Sequence, residues 1–236
     1  MGDAHAGTVI RDETDADVDA IADVSVAAFN TLEISDHTEQ FIIEALRAAG
    51  ALAVSLVAER DGRVVGHIAF SPVTMSDGTP GWYGLGPVAV TPAYQRRGIG
   101  TALVREGLSR LRGLHAAGCC LVGHPGYYGR FGFENAEGLG LEGVPPEAFF
   151  ALSFDGNVPR GAVVFHEAFQ ATGPPWPAGG APAEQSPKGH RSDLTSGPRC
   201  ASFGGVSSPS RSWHPAAPPF PCPRPARHPP SGVEHA

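Results

Sequence analysis

Apolar residues recur at helical or strand spacing through the first 170 residues of the 236-residue chain, and this pattern stops after Phe169. Apolar positions three or four residues apart predict helices, and short apolar runs bounded by turn residues predict strands. Asp61-Gly62 predicts a hairpin turn between two of these strands. The predicted strands are 8–11, 52–59, 63–73, 82–90, 119–122, 149–154 and 162–166, and the predicted helices lie near 18–29, 41–46 and 101–114.

This order of elements, β-α-α-β-β-β-α-β followed by two closing strands, predicts a mixed α/β (α+β) fold with antiparallel strands at its centre. Residues 1–170 are therefore expected to form one domain with a buried core. Residues 171–236 contain 15 of the 23 prolines and few aliphatic residues, which predicts a disordered tail. A linker, a partner-binding segment and a non-native reading frame are all open explanations of this tail.

The formal charge differs between the two parts of the chain. Residues 1–170 carry 11 arginines, no lysine and 21 acidic residues, whereas the tail has a net charge of +3. An acidic domain argues against nucleic acid as the main partner, because phosphates require positive charge. It is compatible with a cationic substrate such as an amine, and equally with a role in solubility alone.

The cysteines and the apolar runs indicate the cellular setting. The four cysteines form no CxxC pair, and Cys119-Cys120 lies in an apolar run, which is typical of buried reduced thiols. No apolar run reaches the roughly 18 residues of a membrane span. The sequence thus predicts a cytoplasmic protein without a membrane partner, and it leaves a homodimer open.

Residues 85–103 carry the chemistry. They combine a strand, a turn at Thr91-Pro92, the sequence Gln95-Arg96-Arg97-Gly98-Ile99-Gly100 and the start of a helix. The two glycines let the backbone turn tightly and remove side chains that would block a phosphate. A diphosphate at the helix start would gain hydrogen bonds from free N–H groups and a favourable dipole. Glycines that merely begin a helix are the alternative.

Two common nucleotide motifs are excluded. The Lys-Ser/Thr ending of a Walker loop is absent, and Leu103 stands where a dinucleotide-binding GxGxxG motif would have its third glycine.

The same residues support a resemblance to a family. Residues 95–100 resemble the Gln/Arg-x-x-Gly-x-Gly/Ala motif of the GNAT superfamily of N-acetyltransferases. Tyr127-Tyr128-Gly129-Arg130-Phe131-Gly132-Phe133 resembles that superfamily's aromatic-Tyr-x-x-x-Gly-Phe motif. The stretches 66–73, 121–133 and 144–149 are similar to the YhbS-like group of predicted acetyltransferases. The resemblance covers about residues 8–169 and none of the tail.

This resemblance implies the GNAT fold, a central mixed, mainly antiparallel sheet that is flanked by helices and splayed between its fourth and fifth strands. Acetyl-CoA would lie in the splay as co-substrate, without a metal, and an unidentified amine would be the acceptor. The backbone of Val88, Ala89 and Val90 would pair with the pantetheine amides. The other implied cofactor contacts are Gln95, Arg96, Arg97, Gly98, Ile99, Gly100, Thr101, Tyr127 and Tyr128.

Tyr128 occupies the position of the general acid used by many family members. A phenol with the ordinary pKa of about 10 could protonate a thiolate of similar basicity. A role in packing or cofactor binding alone is the alternative for both Tyr127 and Tyr128.

The general base is less well defined by the sequence. His67, on a predicted central strand, is one candidate, although a buried core histidine would fit the same pattern. His124 is a second candidate, at a position where the YhbS-like group more often has Asp. Glu33 could line the acceptor cleft, and Trp82 and Tyr83 could border it, or all three could be surface and packing residues.

The predicted function is acetyl-CoA-dependent transfer of an acetyl group to a primary amine of a small molecule or peptide. The absence of an obvious carboxylate base leaves an alternative open, a non-catalytic acyl-CoA-binding or regulatory module. Fold analogy alone does not identify the acceptor.

Overall fold

The computed structural model describes residues 7–30 and 37–174. Glu33 and the predicted tail from residue 175 onward lie outside this part of the chain. The helices are α1 (Val18–Phe29), α2 (Glu39–Ala48), α3 (Ile99–Gly113) and α4 (Pro125–Tyr128). The strands are β1 (Thr8–Asp12), β2 (Val54–Arg60), β3 (Arg63–Pro72), β4 (Thr74–Met75), β5 (Trp82–Val90), β6 (Gly118–Val122), β7 (Leu139–Leu141), β8 (Phe149–Ser153) and β9 (Gly161–Val164).

Six of these strands form the central sheet, in the order β1-β2-β3-β5-β6-β8. All neighbours are antiparallel except β5 and β6, which are parallel. The β2–β3 hairpin turns at Asp61 and Gly62, whose φ angles are 52° and 71°. Positive φ at both central residues belongs to the two-residue turn that matches the twist of antiparallel strands. The predicted mixed, mainly antiparallel sheet is confirmed.

The helices cover both faces of this sheet. The Cα of Gly66 on β3 faces Leu103 and Ile99 of α3, whereas Ala89 on β5 packs with Val24 and Ala28 of α1. Ala89 is opposite His67, the neighbour of Gly66 on β3. Because neighbouring residues of a strand face opposite sides, α1 and α3 lie on different faces of the sheet. None of the helices in the described ranges is long and apolar enough to cross a membrane.

A second, smaller sheet has the strand order β4-β9-β7. The sequence pattern placed β8 and β9 together as closing strands, but β9 pairs with β4 and β7 instead. Met75 and Val163 of this sheet enclose a separate apolar cluster with Trp82 and Phe149 of the central sheet. The prediction missed β4 and β7 because strands of two and three residues are too short to show an alternating pattern.

A close contact between α3 and the central sheet depends on a glycine. Any Cβ at Gly107 would collide with the ring of Phe70, which is fully buried on β3. Leu103, Leu108 and Leu111 surround this contact and leave the ring little room to move. The small residue therefore sets how closely α3 approaches β3.

We expect Gly107→Ala to lower the free energy of unfolding by about 1–3 kcal/mol, because the added methyl group overpacks the core. Gly113→Ala, at the exposed end of the same helix, meets no atom within 4 Å and should be neutral or stabilising by up to ~1 kcal/mol. Urea denaturation of both variants measures the difference. Equal stabilities would contradict the close packing of α3 on Phe70.

Candidate active site

The central sheet opens between β5 and β6. These strands pair only at Trp82–Gly118, Tyr83–Cys119 and Gly84–Cys120. β6 nevertheless continues beside β8 to Val122, and β5 continues beside β3 to Val90. The edge of β5 that faces β6 thus has no ladder partner from Leu85 to Val90 among the described strands. β5 and β6 are the fourth and fifth strands of the central sheet, where the splay was predicted.

A bulge in β5 lies at the point of separation. Ile68 of β3 pairs with Val88 and Phe70 pairs with Leu85, so Gly86 and Pro87 together oppose the single residue Ala69. Two residues opposite one bend the strand and increase its twist. The bulge therefore bends β5 just after its pairing with β6 ends, and unpaired backbone groups of β5 lie along the opening.

The glycine loop follows directly at the end of β5. The Gln95 side chain donates a hydrogen bond from Nε2 to the Val90 carbonyl at 2.9 Å, which ties the loop to the strand. Arg96 has a φ of 59° and Gly98 a φ of 82°. A left-handed conformation costs an L-residue such as Arg96 free energy, whereas glycine adopts it readily. The loop thus holds a tight, partly strained turn immediately before α3.

The beginning of α3 is suited to an anion. The first backbone bond of this helix runs from the Ala102 N–H to the Gly98 carbonyl at 2.9 Å, so the N–H groups of residues 99–101 have no acceptor within the helix. Arg96 and Arg97 are exposed beside them. The Arg97 guanidinium lies 5.6 Å from the centre of the Tyr94 ring. These donors and charges are suited to an anion, and the pyrophosphate site at this position stays a prediction.

Tyr127 and Tyr128 come from the short helix α4, which His124 caps by accepting a hydrogen bond at Nδ1 from the Gly126 N–H. The two tyrosine rings lie 4.9 Å apart, edge to face. Tyr128 packs against the backbone of Gly123, where a Cβ would collide with its ring. Both tyrosines share one core cluster with Val88 and Val90 of β5 and Ile99 and Leu103 of α3. The structure thus brings the two predicted motifs together at the opening.

Burial raises the pKa of both phenols. It raises the pKa of Tyr127 to about 12, against an opposing hydrogen bond with Thr101 in the first turn of α3. It raises the pKa of Tyr128 far above the ordinary range, and Tyr127 and Cys119 add to this shift. The expectation of an ordinary pKa for Tyr128 is therefore wrong. Tyr128, 4% exposed, stays protonated at neutral pH and acts best as a hydrogen-bond donor.

His67 belongs to a polar network that the sequence did not reveal. It lies on β3 with 0% exposure, and its Nε2 is 2.8 Å from the Ser55 hydroxyl oxygen. The Ser55 hydroxyl donates to the Glu13 carboxylate at 2.5 Å. Arg47 holds the same carboxylate through two hydrogen bonds of 3.0 Å each. Sequence patterns could not predict this network, since its members lie on α2, β2, β3 and the segment after β1.

The directions of these hydrogen bonds determine the tautomer of His67. Because the Ser55 hydroxyl gives its proton to Glu13, it must accept from His67, so Nε2 carries the imidazole proton. Nδ1 then bears a lone pair and has no hydrogen-bond partner among the described residues. Burial lowers the pKa of His67, and Glu13 opposes this effect. His67 is therefore a neutral imidazole with a free acceptor nitrogen.

His67 and Tyr128 lie on opposite faces of the sheet. His67 is directly opposite Ala89 in the β3–β5 ladder, and cross-strand partners point to the same side. Ala89 packs with α1, whereas Tyr128 packs in the cluster that contains α3. The sheet separates the two residues, and its two faces connect at the opening between β5 and β6.

The remaining predicted residues are less suited to chemistry. His124 uses its Nδ1 lone pair for the α4 cap, which leaves the proton on Nε2 in the neutral form. Trp82 is buried in the apolar cluster between the two sheets, and Tyr83 packs against the main core. Cys119 and Cys120 are free and buried, and burial raises the pKa of both thiols. Within 7–30 and 37–174, His, Cys, Asp and Glu side chains form no cluster of three suited to a metal ion.

Comparison with known proteins relates this arrangement to one family. Residues 18–133 match the model of the acetyltransferase (GNAT) family. The uncharacterized N-acetyltransferase YhbS of Escherichia coli K12 is 40% identical over 99 residues, which are 42% of this chain and 59% of YhbS. The chain thus matches less than two thirds of that relative's length.

Two solved structures cover more of the chain. A GNAT family acetyltransferase from Brucella melitensis, in complex with acetyl-CoA, is 49% identical and superposes with a TM-score of 0.62 over 69% of this chain and 97% of its own. Escherichia coli YhbS in complex with CoA is 33% identical, with a TM-score of 0.64 over 70% of this chain and 93% of its own.

The buried network predicts how stability depends on pH. Burial by itself would raise the pKa of Glu13, but hydrogen bonds with His67, Arg47 and Ser55 outweigh it and hold this pKa at about 2. Below pH 6.5 the unfolded chain binds a proton at His67 that the folded protein does not, and below pH 4.5 the same holds for Glu13. The free energy of unfolding should therefore fall as the pH falls from 6.5 towards 2.

We expect Glu13→Gln to lower the free energy of unfolding at pH 7 by about 1–3 kcal/mol, because Arg47 and Ser55 lose a charged acceptor. The variant should also lose the part of the pH dependence below pH 4.5. Denaturant titrations at about one-unit pH intervals between roughly pH 3 and 7 test both effects. Glu142→Gln, at an exposed position, is the control, and identical curves for the two variants would contradict the assignment.

Proposed function

The chain belongs to the GNAT acetyltransferase family, and we propose that it is an acetyl-CoA-dependent N-acetyltransferase that acts on a primary amine of a small molecule or peptide. The observation that carries this proposal is the opening between β5 and β6, with an unpaired strand edge on one side and the start of α3 at its end. Residues 1–170 would form the catalytic domain. The free thiols of Cys119 and Cys120 are compatible with the proposed cytoplasmic location, and a homodimer stays a prediction.

The residues at the opening fit acetyl-CoA. The free edge of β5 at Val88, Ala89 and Val90 can pair with the amides of an extended pantetheine arm, as an added strand would. The backbone of residues 95–101 can hold the pyrophosphate at the start of α3. Tyr127 lies against Thr101 in that first helical turn and can close the site from the α4 side. The similar structures from Brucella melitensis and Escherichia coli contain acetyl-CoA and CoA, which supports this assignment.

Direct transfer forms a C–N bond and breaks the C–S bond of the thioester. One proton leaves the amine and one proton goes to the departing sulfur. Tyr128 would interact with the departing sulfur. Since burial raises its pKa above that of a thiol, Tyr128 would keep its proton and donate a hydrogen bond from O–H to the negative charge that develops on sulfur. The released thiolate would then take its proton from water.

His67 would accept the proton of the amine at Nδ1. This nitrogen has a free lone pair on the α1 face of the sheet, and the chain from Nε2 through Ser55 to Glu13 would stabilise the imidazolium that forms. Glu13, Ser55 and Arg47 act through His67 and are positioning residues. The amine would approach from the face of His67, and the thiol would leave on the face of Tyr128.

The alternative is a non-catalytic acyl-CoA-binding or regulatory module. Full burial of His67 favours this alternative, because a base must reach its substrate. A thiol-release assay with acetyl-CoA over a panel of primary amines separates the two. Turnover with at least one amine supports the enzyme, whereas tight binding of acetyl-CoA without turnover on any amine supports the module.

We expect Tyr128→Phe to lower kcat by about 100-fold or more, since the developing thiolate loses its donor. The Kd of acetyl-CoA should stay close to that of the unmodified protein, because the phenyl ring keeps its place against Gly123 and Phe133. Stopped-flow turnover measurements give kcat, and calorimetric titration gives the Kd of acetyl-CoA. A parallel loss of affinity and rate would instead assign Tyr128 to cofactor binding.

We expect Ser55→Ala to shift the acidic limb of the kcat/KM profile to lower pH. Without Ser55, the Nε2–H of His67 loses the hydroxyl oxygen that accepts its hydrogen bond. Only the direct 3.5 Å contact with Glu13 then remains to raise the pKa of His67, so the imidazole becomes a weaker base. His67→Gln should lower kcat by about 100-fold or more and remove this limb.

Melting temperatures show whether either variant is only misfolded, and Ser109→Ala, at an exposed position on α3, serves as control. An unchanged limb in both His67→Gln and Ser55→Ala would exclude His67 as the base.

A further inference from the structure

A basic groove lies beside the proposed cofactor site. Its volume is about 220 Å³, and it separates the outer surface of α3 from the turn that follows α4. Its lining residues are Arg105, Leu108, Arg112, Arg130 and Phe131. The groove is open to solvent, and the mechanism above uses none of these five residues.

The charge of this groove is opposite to that of the domain. Residues 1–170 carry 21 acidic side chains and only 11 arginines, and three of these arginines line the groove. Throughout the described ranges, none of the three guanidinium groups forms an ion pair with a carboxylate. By contrast Arg110, on the same helix, pairs with Glu106 and Asp12. Three unneutralised cations around one small groove indicate an anionic ligand.

Two of the arginines are already held in place. The Arg112 guanidinium lies 4.4 Å from the centre of the Phe154 ring, and the Arg130 guanidinium lies 4.9 Å from the centre of the Tyr127 ring. Arg130 also donates a hydrogen bond to the Gly126 carbonyl at 3.2 Å. Stacked guanidinium groups lose little freedom on binding. Their planar donors match the oxygens of a phosphate.

The groove is next to the proposed pyrophosphate position. Arg105 lies four residues after Thr101 on α3, a rise of about 6 Å along the helix. Tyr127 joins the two places, since it contacts Thr101 on one side and Arg130 on the other. A ligand that spans from residues 95–101 into the groove would therefore present one anionic group to each place.

We propose that this groove binds the 3′-phosphate of the CoA moiety, with Arg105, Arg112 and Arg130 as its charged contacts. The inference rests on the proposed acetyl-CoA-dependent function. In CoA one ribose carries the pyrophosphate on its 5′ carbon and this extra phosphate on its 3′ carbon, so a single ligand supplies an anionic group to each of the two neighbouring places. The half-buried Phe131 offers the neighbouring adenine an apolar surface. The protein would thereby distinguish CoA from 3′-dephospho-CoA.

Calorimetric titration of the full-length protein with CoA and with 3′-dephospho-CoA tests the proposal. The unmodified protein should bind CoA at least about tenfold more tightly, the effect of one charge-assisted contact. Arg105→Gln should reduce this ratio several-fold and leave the affinity for dephospho-CoA unchanged. The matched control Arg110→Gln, five residues further along α3 and engaged with Glu106, should keep the full ratio. The ratio should also shrink as salt screens the groove.

The outcomes separate this inference from the proposed function. Equal affinities for the two compounds, with both binding, would leave the acetyl-CoA-dependent function in place and overturn the inference. A ratio that Arg105→Gln and Arg110→Gln reduce equally would also overturn it. If neither compound binds the unmodified protein, the proposed function fails, and the inference fails with it.

Discussion

The short parallel pairing of β5 with β6 is the constraint on which the site depends. Three residue pairs hold these strands together, and beyond Gly84 they separate. The sheet survives this break because each strand keeps its other partner, β3 for β5 and β8 for β6. Unpaired backbone groups at a strand edge are costly when they are buried. An extended ligand with its own amides would satisfy them, so the break that weakens the sheet also creates the proposed binding site.

The two faces of the sheet support different parts of the proposed chemistry. On the α3 face, apolar packing surrounds Tyr128 and keeps its phenol protonated. On the α1 face, the Ser55 hydroxyl and the Glu13 carboxylate orient His67, and the Arg47 guanidinium holds that carboxylate in place. Low polarity suits a neutral hydrogen-bond donor, whereas a nearby carboxylate suits a nitrogen that must become positively charged. The opening in the sheet is where the two environments meet.

Charge is distributed unevenly over an acidic domain. On the β1 and α2 side, Arg11 and Arg47 are neutralised by carboxylates. Around the start and outer surface of α3, by contrast, Arg97, Arg112 and Arg130 stack on aromatic rings. A negatively charged ligand is therefore attracted to α3 although the domain as a whole would repel it. The proposed recognition of two separate phosphate positions follows from this asymmetry.

The sequence by itself determined the parts of this protein that are encoded locally. Periodicity predicted the three longer helices and the longer strands, and residues 95–100 predicted the glycine loop, because turns and helix starts depend on neighbouring residues. The family followed from the resemblance of residues 95–100 and 127–133 to known motifs. The tertiary structure alone decided which distant side chains meet. Glu13, Arg47, Ser55 and His67 converge from four separate segments, and Arg105, Arg112 and Arg130 from two. It also decided the raised pKa of Tyr128, because burial is a property of the packed core and of no local pattern.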